Sequence, residues 1–400
     1  MAMEVKLLQP VKVVCTDDLG ETLVDIMQTA GYSRPLMVTD SFVGSMPLVV
    51  AARTKLEQVG VDVAVFDQVK PDPLCETVES GVEAFEAHKA DSIIAIGGGS
   101  SMDVARGINI VRVNGGSIIE YTDPAKPIAP CNGMIAVPTT AGTGSEMSNA
   151  LVVTEGSTGR KLAVLADPAV SEYAVLNADL MLTLPAKMTI ACGLDAFCHA
   201  AEGYLSRMAS PVTDAICEKA MFLLYNYLPR AVANGQDREA RERVMVASTL
   251  AGWMLNNAGT IAGHSIAHVL GAKYHIVHGE AVGYALPAVM EFVAPVRAHK
   301  VREIGQILGA VYPENAPDEQ VAIIASRAFK DFRDRMLGLH AVEDYGISVE
   351  ELVSNAQAVV DERFAGNTPR DIDLQAAEQL LEGFGSRWYQ RPLPALQQVV

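Results

Sequence analysis

Hydrophobic and polar positions divide the chain into two textures. Up to about residue 185, short apolar runs alternate with helical stretches. Pro35–Asp40, Val61–Phe66, Ser92–Ile96 and Gly133–Val137 read as strands, and a helix is expected around Thr77–Ala90. Buried apolar strands alternating with helices predict a parallel sheet covered on both faces. After Leu184-Pro185 the β-branched runs thin out. Apolar residues then recur at helical spacing through Pro211–Ala233, Asp237–Asn257 and Pro317–Leu337. The expected architecture is therefore α/β followed by all-α, with the boundary where Pro185 breaks the pattern: 1–185, then 186–400. Two prolines fall in the closing stretch Arg387–Pro394, so an ordered or a loose tail is expected there.

Composition narrows the function. The 400 residues carry a formal charge of −17, and half are hydrophobic. So acidic a chain lacks the electrostatic footprint for nucleic acid or an anionic membrane. No apolar run approaches the roughly 20 residues a membrane helix needs, and no signal peptide is read at Met1–Lys6. The six cysteines are scattered with no C-x-x-C pair, as reduced thiols would be. A cytoplasmic setting is expected.

Two loops suit a phosphate-bearing ligand. Ile96 ends a strand and is followed by Gly97-Gly-Gly-Ser-Ser-Met-Asp103, which opens a helix. Glycines let backbone approach a ligand, and a helix N-terminus offers free N–H groups. Ser100 or Ser101 is a candidate cap, and Asp103 falls in the first turn. A plain βα turn rarely spends three glycines, yet the spacing is not G-x-G-x-x-G. Asp40, at the end of an earlier strand, could bind a ribose 2′-hydroxyl and repel a 2′-phosphate, or merely cap the next helix. The second loop is Pro138-Thr-Thr-Ala-Gly-Thr-Gly-Ser-Glu146, whose hydroxyls suit phosphate or nicotinamide contacts.

The histidines supply the other chemistry. Four of the eight fall between His264 and His278. His264 and His268 share a helix face, as do Asp195 and His199. On one straight helix His278 would lie about 21 Å from His264, so the chain must fold back, with Gly271 a candidate helix end. Three imidazoles and a carboxylate would suit Fe(II) or Zn(II). A solvated Asp–His pair is the bland alternative for Asp195 and His199. His88, His275, His299 and His340 read as ordinary.

Together, Gly97–Asp103, Pro138–Glu146, Asp195-Ala-Phe-Cys-His-Ala-Ala-Glu202 and His264-Ser-Ile-Ala-His…His278-Gly279 resemble the iron-containing (group III) alcohol dehydrogenase family. The resemblance implies a Rossmann-like dinucleotide-binding domain, a helical metal domain and an active site in the cleft between them. It implies a metal-dependent alcohol dehydrogenase or aldehyde reductase using NAD(H) and one divalent ion, Fe(II) or Zn(II), and working as a homodimer or larger homo-oligomer. Asp195, His199, His264 and His278 then correspond to metal ligands, and His268 to a non-ligand histidine beside nicotinamide and substrate. Asp40, Gly98, Gly99, Ser100, Thr139, Thr140, Thr143 and Lys161 correspond to cofactor contacts; Gly97, Asp103 and Ser145 complete the expected set. Arg106 replaces a usual Lys, and Glu280 stands where a small apolar residue is common. A carboxylate at 280 would disfavour an anionic substrate if it pointed inward. The competing readings are a glycerol-dehydrogenase- or dehydroquinate-synthase-like zinc enzyme and a non-catalytic nucleotide-binding protein.

Overall fold

The computed structural model describes residues 6–387, so most of the Pro-containing tail lies outside the described residues. The chain divides into two compact units, Leu7–Leu184 and a second beginning at Pro185.

The first unit is built on β1 (Lys12–Cys15), β2 (Pro35–Val38), β3 (Ala64–Phe66), β4 (Ser92–Gly97), β5 (Met134–Pro138) and β8 (Tyr173–Leu176). These pair in the order β1-β8-β5-β4-β2-β3, every pair parallel. The fold class expected from the apolar runs is thus borne out. Alternate residues of one strand serve opposite faces. Ile94 and Ile96 pack with Leu19, Leu23 and Met27 of α1 (Leu19–Ala30) and with Val49 and Leu56 of α3 (Pro47–Gln58). Ile93 and Ala95 join Val78 and Phe85 of α4 (Cys75–His88) and Val104 and Ile108 of α5 (Gly99–Asn114). A short helix, α2 (Ser41–Gly44), follows β2.

An antiparallel hairpin, β6 (Ala150–Thr154) with β7 (Lys161–Leu165), was not expected. It alternates buried and exposed positions, so one face joins the core and the other does not. Strand order reverses between β2 and β4: β3 lies outward on one side, while β5 and β8 follow on the other. Ligands of open parallel sheets bind beyond the strand C-termini at such a switch point.

Arg106 holds this corner together. Its guanidinium is fully buried and donates to the carbonyls of Ala169 at 3.2 Å, Ser145 at 2.5 Å and Ala150. Helix α5 is thereby tied to the 138–146 loop, the hairpin and the 167–169 turn. Its three nitrogens each serve a different carbonyl, a spread that the single nitrogen of an ammonium does not reproduce.

The second unit is helical: α6 (Ala186–Leu205), α7 (Pro211–Ala233), α8 (Arg238–Asn257), α9 (Ala262–Tyr274), α10 (His278–Ile307), α11 (Asp318–Asp331), α12 (Val349–Val353), α13 (Ala356–Asp361) and α14 (Leu374–Glu382). Helix α6 is central, packed by α7, α8 and α10 and buried over most of its length. The long helix expected at Pro317–Leu337 is α-helical to Asp331 and then continues as a π-turn, Phe332–Met336. That turn sets Phe332 against Phe197 of α6 and lets buried Arg333 reach the Gly283 carbonyl.

Arg106→Leu should strip three buried carbonyls of their donors and lower unfolding stability by about 3 kcal/mol or more, with Arg106→Lys recovering part. Chemical denaturation checks this; a loss below about 1 kcal/mol would contradict the role given to the guanidinium.

Candidate metal centre and nucleotide loops

Helix α6 places Asp195, His199 and Glu202 on one face, at i, i+4 and i+7. Helix α9 adds His264, and the first residue of α10 is His278. The helix does not stop at Gly271; it runs to Tyr274, and His275 makes the turn in the left-handed region (φ 56°). Gly271 instead makes room for the returning chain, since a Cβ there would come within 3.3 Å of the Ile276 carbonyl.

The return brings three imidazoles onto one carboxylate oxygen. Asp195 Oδ1 lies 3.5 Å from His199 Nε2, 3.7 Å from His264 Nε2 and 3.5 Å from His278 Nε2. The rings of His199 and His264 stack at 4.6 Å. Bonds of about 2.1 Å arranged tetrahedrally would set donor atoms about 3.4 Å apart, so these spacings fit a divalent first-row ion. Asp195 Oδ1 and His264 Nε2 are also buried without a hydrogen-bond partner, as atoms aimed at an ion would be. The donor set of N and carboxylate O suits iron or zinc.

Electrostatics around the oxygen point the same way. Burial alone would push the Asp195 carboxyl up, but His199, His278 and His264 hold it well below the usual carboxylate range. Burial alone would lower His264, yet the Glu202 and Asp195 carboxylates push it up to about 10. A positive charge is thus favoured between Asp195 and His264, while burial and the neighbouring imidazoles push His278 down to about 3 and leave it a neutral donor; a bound cation would take the proton's place.

Glu202 is the residue that sequence reading passed over. It is fully buried and accepts from His264 Nδ1 at 2.9 Å, from Ile261 N–H at 2.7 Å and from His264 N–H at 3.3 Å. It therefore fixes the His264 tautomer, leaving Nε2 as an electron-pair donor, and satisfies the uncapped start of α9. Its signal was present: a second acid, three residues beyond His199, on the Asp195–His199 face of a largely apolar helix. Two glycines make the fit possible. A Cβ at Gly263 would sit 2.3 Å from Glu202 Oε1, and one at Gly279 would sit 1.9 Å from the Ala191 carbonyl of α6.

His268 stands beside this centre, its ring stacked on His278 at 5.4 Å. Asp195, His199 and His264 are buried, whereas the side chains of His278 and His268 are 42% and 36% exposed. Solvent therefore reaches the cluster from their side. Glu280 does not join it: its carboxylate accepts from Tyr345 Oη at 2.7 Å and lies 3.4 Å from His340 Nε2.

In the first unit, Asp40, Gly97–Ser100 and Thr139–Thr143 gather beyond the ends of β2, β4 and β5. Asp40 does cap α2, with Oδ1 accepting from Phe42 and Val43 N–H at 2.9 Å. Its Oδ2 faces the glycine turn, 3.9 Å from where a Gly97 Cβ would be. Gly98 occupies the N-cap of α5, so neither Ser100 nor Ser101 caps it, and no side chain does. A Cβ at Gly99 would press to 3.0 Å from Thr143 Cγ2, and one at Gly98 to 3.4 Å from Thr140. The glycines thus let the two polar loops meet, with Thr139 N–H bonded to Gly97 O at 2.9 Å.

Three expected cofactor residues are placed differently. Asp103 turns to the hairpin and accepts Val152 N–H at 3.1 Å, because its helix face packs on β6. Lys161 pairs with Asp72 at 2.5 Å. Ser145 is buried, and its carbonyl is held by Arg106.

A parallel-sheet unit with a glycine turn at its switch point, and a helical unit carrying three histidines around one carboxylate, are the features expected of a metal-dependent, nucleotide-linked enzyme class. Comparison with known proteins supplies the family. Residues 10–178 match the model for iron-containing alcohol dehydrogenase, and residues 189–384 that for the C-terminal part of the Fe-containing alcohol dehydrogenase family. The chain is 34% identical over 362 residues to the NAD-dependent methanol dehydrogenase of Bacillus methanolicus, covering 89% of this chain and 93% of that protein. It is 32% identical over 371 residues to the lactaldehyde reductase of Escherichia coli, covering 92% and 95%. A crystal structure of 1,3-propanediol oxidoreductase superposes with a TM-score of 0.88 at 29% identity, covering 96% of this chain and all of that one. The chain belongs to the iron-containing alcohol dehydrogenase family and is an oxidoreductase.

Glu202→Gln should weaken Zn(II) binding about 10- to 100-fold, since the ligand imidazole loses its charged orienting partner. Competition with a chromogenic chelator measures it; unchanged affinity would remove Glu202 from that role.

Proposed function

We propose that the protein interconverts small primary or secondary alcohols and their aldehydes or ketones with NAD(H), using Fe(II) by preference and Zn(II) as a substitute, as a cytoplasmic homo-oligomer. The observation that carries the reading is the convergence of three imidazole Nε2 atoms on Asp195 Oδ1. Family membership supports the reaction class, and the named substrates of the relatives support a small alcohol. Among the described residues no helix is long and apolar enough to cross a membrane.

Asp195, His199, His264 and His278 would hold the ion, with His264 oriented by Glu202. When bound, NAD(H) supplies the hydride donor or acceptor and the cation a Lewis acid at the alcohol or carbonyl oxygen. The uncapped α5 N-terminus, the glycine turn and the threonine loop would hold the diphosphate, and Asp40 would accept from the ribose hydroxyl. Lys161 is kept in reserve as a cofactor contact, since its exposed ammonium would have to leave Asp72. His268, stacked on His278 and open to solvent, carries the alcohol proton at Nε2.

The test is NADH consumption over a panel of short aldehydes with Fe(II)- and Zn(II)-loaded protein. His264→Ala or His278→Ala should empty the site and lower turnover about 1000-fold, while NADH still binds in fluorescence titration. Turnover persisting in a variant shown to be metal-free would sink the assignment. Asp40→Gly should raise the NADPH/NADH ratio of kcat/KM about tenfold by removing charge repulsion at the ribose; an unchanged ratio would take Asp40 out of cofactor selection.

A further inference from the structure

His268 has a partner that neither its own motif nor the metal cluster contains. Glu362, between α13 and the 3₁₀ turn Arg363–Asn367, lies 94 positions along the chain. Its two oxygens do different work. Oε2 accepts from Phe364 N–H at 2.8 Å, capping that turn, and from Ser265 Oγ at 2.7 Å. Oε1 lies 3.0 Å from His268 Nδ1. The His268 ring is further bracketed by Phe364 at 5.5 Å and by His278 at 5.4 Å.

Burial would push the Glu362 carboxyl up, but the bonds from His268, Ser265 and Phe364 hold it below the ordinary range. An ionised carboxylate only accepts, so the proton between Oε1 and Nδ1 belongs to the imidazole. In neutral His268 the other nitrogen, Nε2, then carries a lone pair. We propose that Glu362 is the positioning residue of His268: it locks the Nδ1–H tautomer and fixes the ring so that Nε2 is available to take the alcohol proton or return it. The role rests on the functional reading above and extends it to a residue outside every motif in the sequence.

A purely structural role for Glu362 would be the cap on the 363–367 turn. The two roles separate by side-chain length. Glu362→Asp keeps an N-cap carboxylate but retracts from His268 by one methylene. Glu362→Gln keeps the length and an acceptor oxygen. Glu362→Ala removes both functions.

The experiment records the histidine ring nitrogens of Zn(II)-loaded, ¹⁵N-histidine-labelled protein by long-range NMR correlation, with His268 identified by its absence in His268→Gln. Wild type and Glu362→Gln should show the Nδ1–H pattern. Glu362→Asp and Glu362→Ala should show Nε2–H or a mixture, and kcat should fall about 10- to 100-fold with KM for NADH and metal content unchanged. The proposal is overturned if Glu362→Asp keeps the wild-type tautomer, if the tautomer changes while kcat does not, or if activity falls only together with metal content. Should the wild type turn over no alcohol or aldehyde, the functional reading fails, and the ring-nitrogen spectra still decide whether Glu362 holds His268.

Discussion

One carboxylate oxygen organises the helical unit. Asp195 is buried on α6 with three imidazole nitrogens around Oδ1 at 3.5–3.7 Å. A buried charge needs compensation, and neutral imidazoles supply lone pairs rather than charge. The arrangement is therefore completed by a cation or by a shared proton. The oxygen sits on the enclosed face of α6, and the turn at His275 returns the chain so that α10 begins at His278 beside it.

Around this oxygen the structure repeats one device: a glutamate lies against the Nδ1 side of a histidine. Glu202 does this for His264, whose Nε2 faces Asp195, and Glu362 for His268. The environments differ. Glu202 is sealed in and also closes the helix start, whereas Glu362 sits toward the exposed flank on a turn. Fixed tautomers of this kind make a site geometrically ready before its ligands arrive. In the parallel-sheet unit the analogous work falls to Arg106, which fastens the threonine loop to the helix behind the glycine turn through backbone carbonyls.

Much of this was legible in the sequence because the signals were local. Apolar runs ending in glycine or proline gave β4 and β5, and the i, i+4 spacings gave the shared faces of Asp195–His199 and His264–His268. What escaped had causes outside the local pattern. Gly271 looked like a helix end, but tertiary packing carried α9 through it and used a strained His275 instead. Asp103 looked like a first-turn acid for the ligand, yet β6, a strand the pattern did not pick out, faces that side of α5. Glu362 is paired with His268 only through the fold, and no spacing in the chain announces that contact. Glu280 illustrates the converse: its chemistry was visible, but only the positions of Tyr345 and His340 show that it is engaged away from the cluster.

The uneven burial of the four converging donors has a kinetic meaning. Three of them are locked in a wall of helices, while His278 has much of its side chain in solvent and its backbone anchored by the tight seat of Gly279 on α6. If these four side chains hold an ion, the His278 imidazole is the donor that solvent reaches most freely. Scavengers or oxidants would then meet the ion first at that single doorway residue.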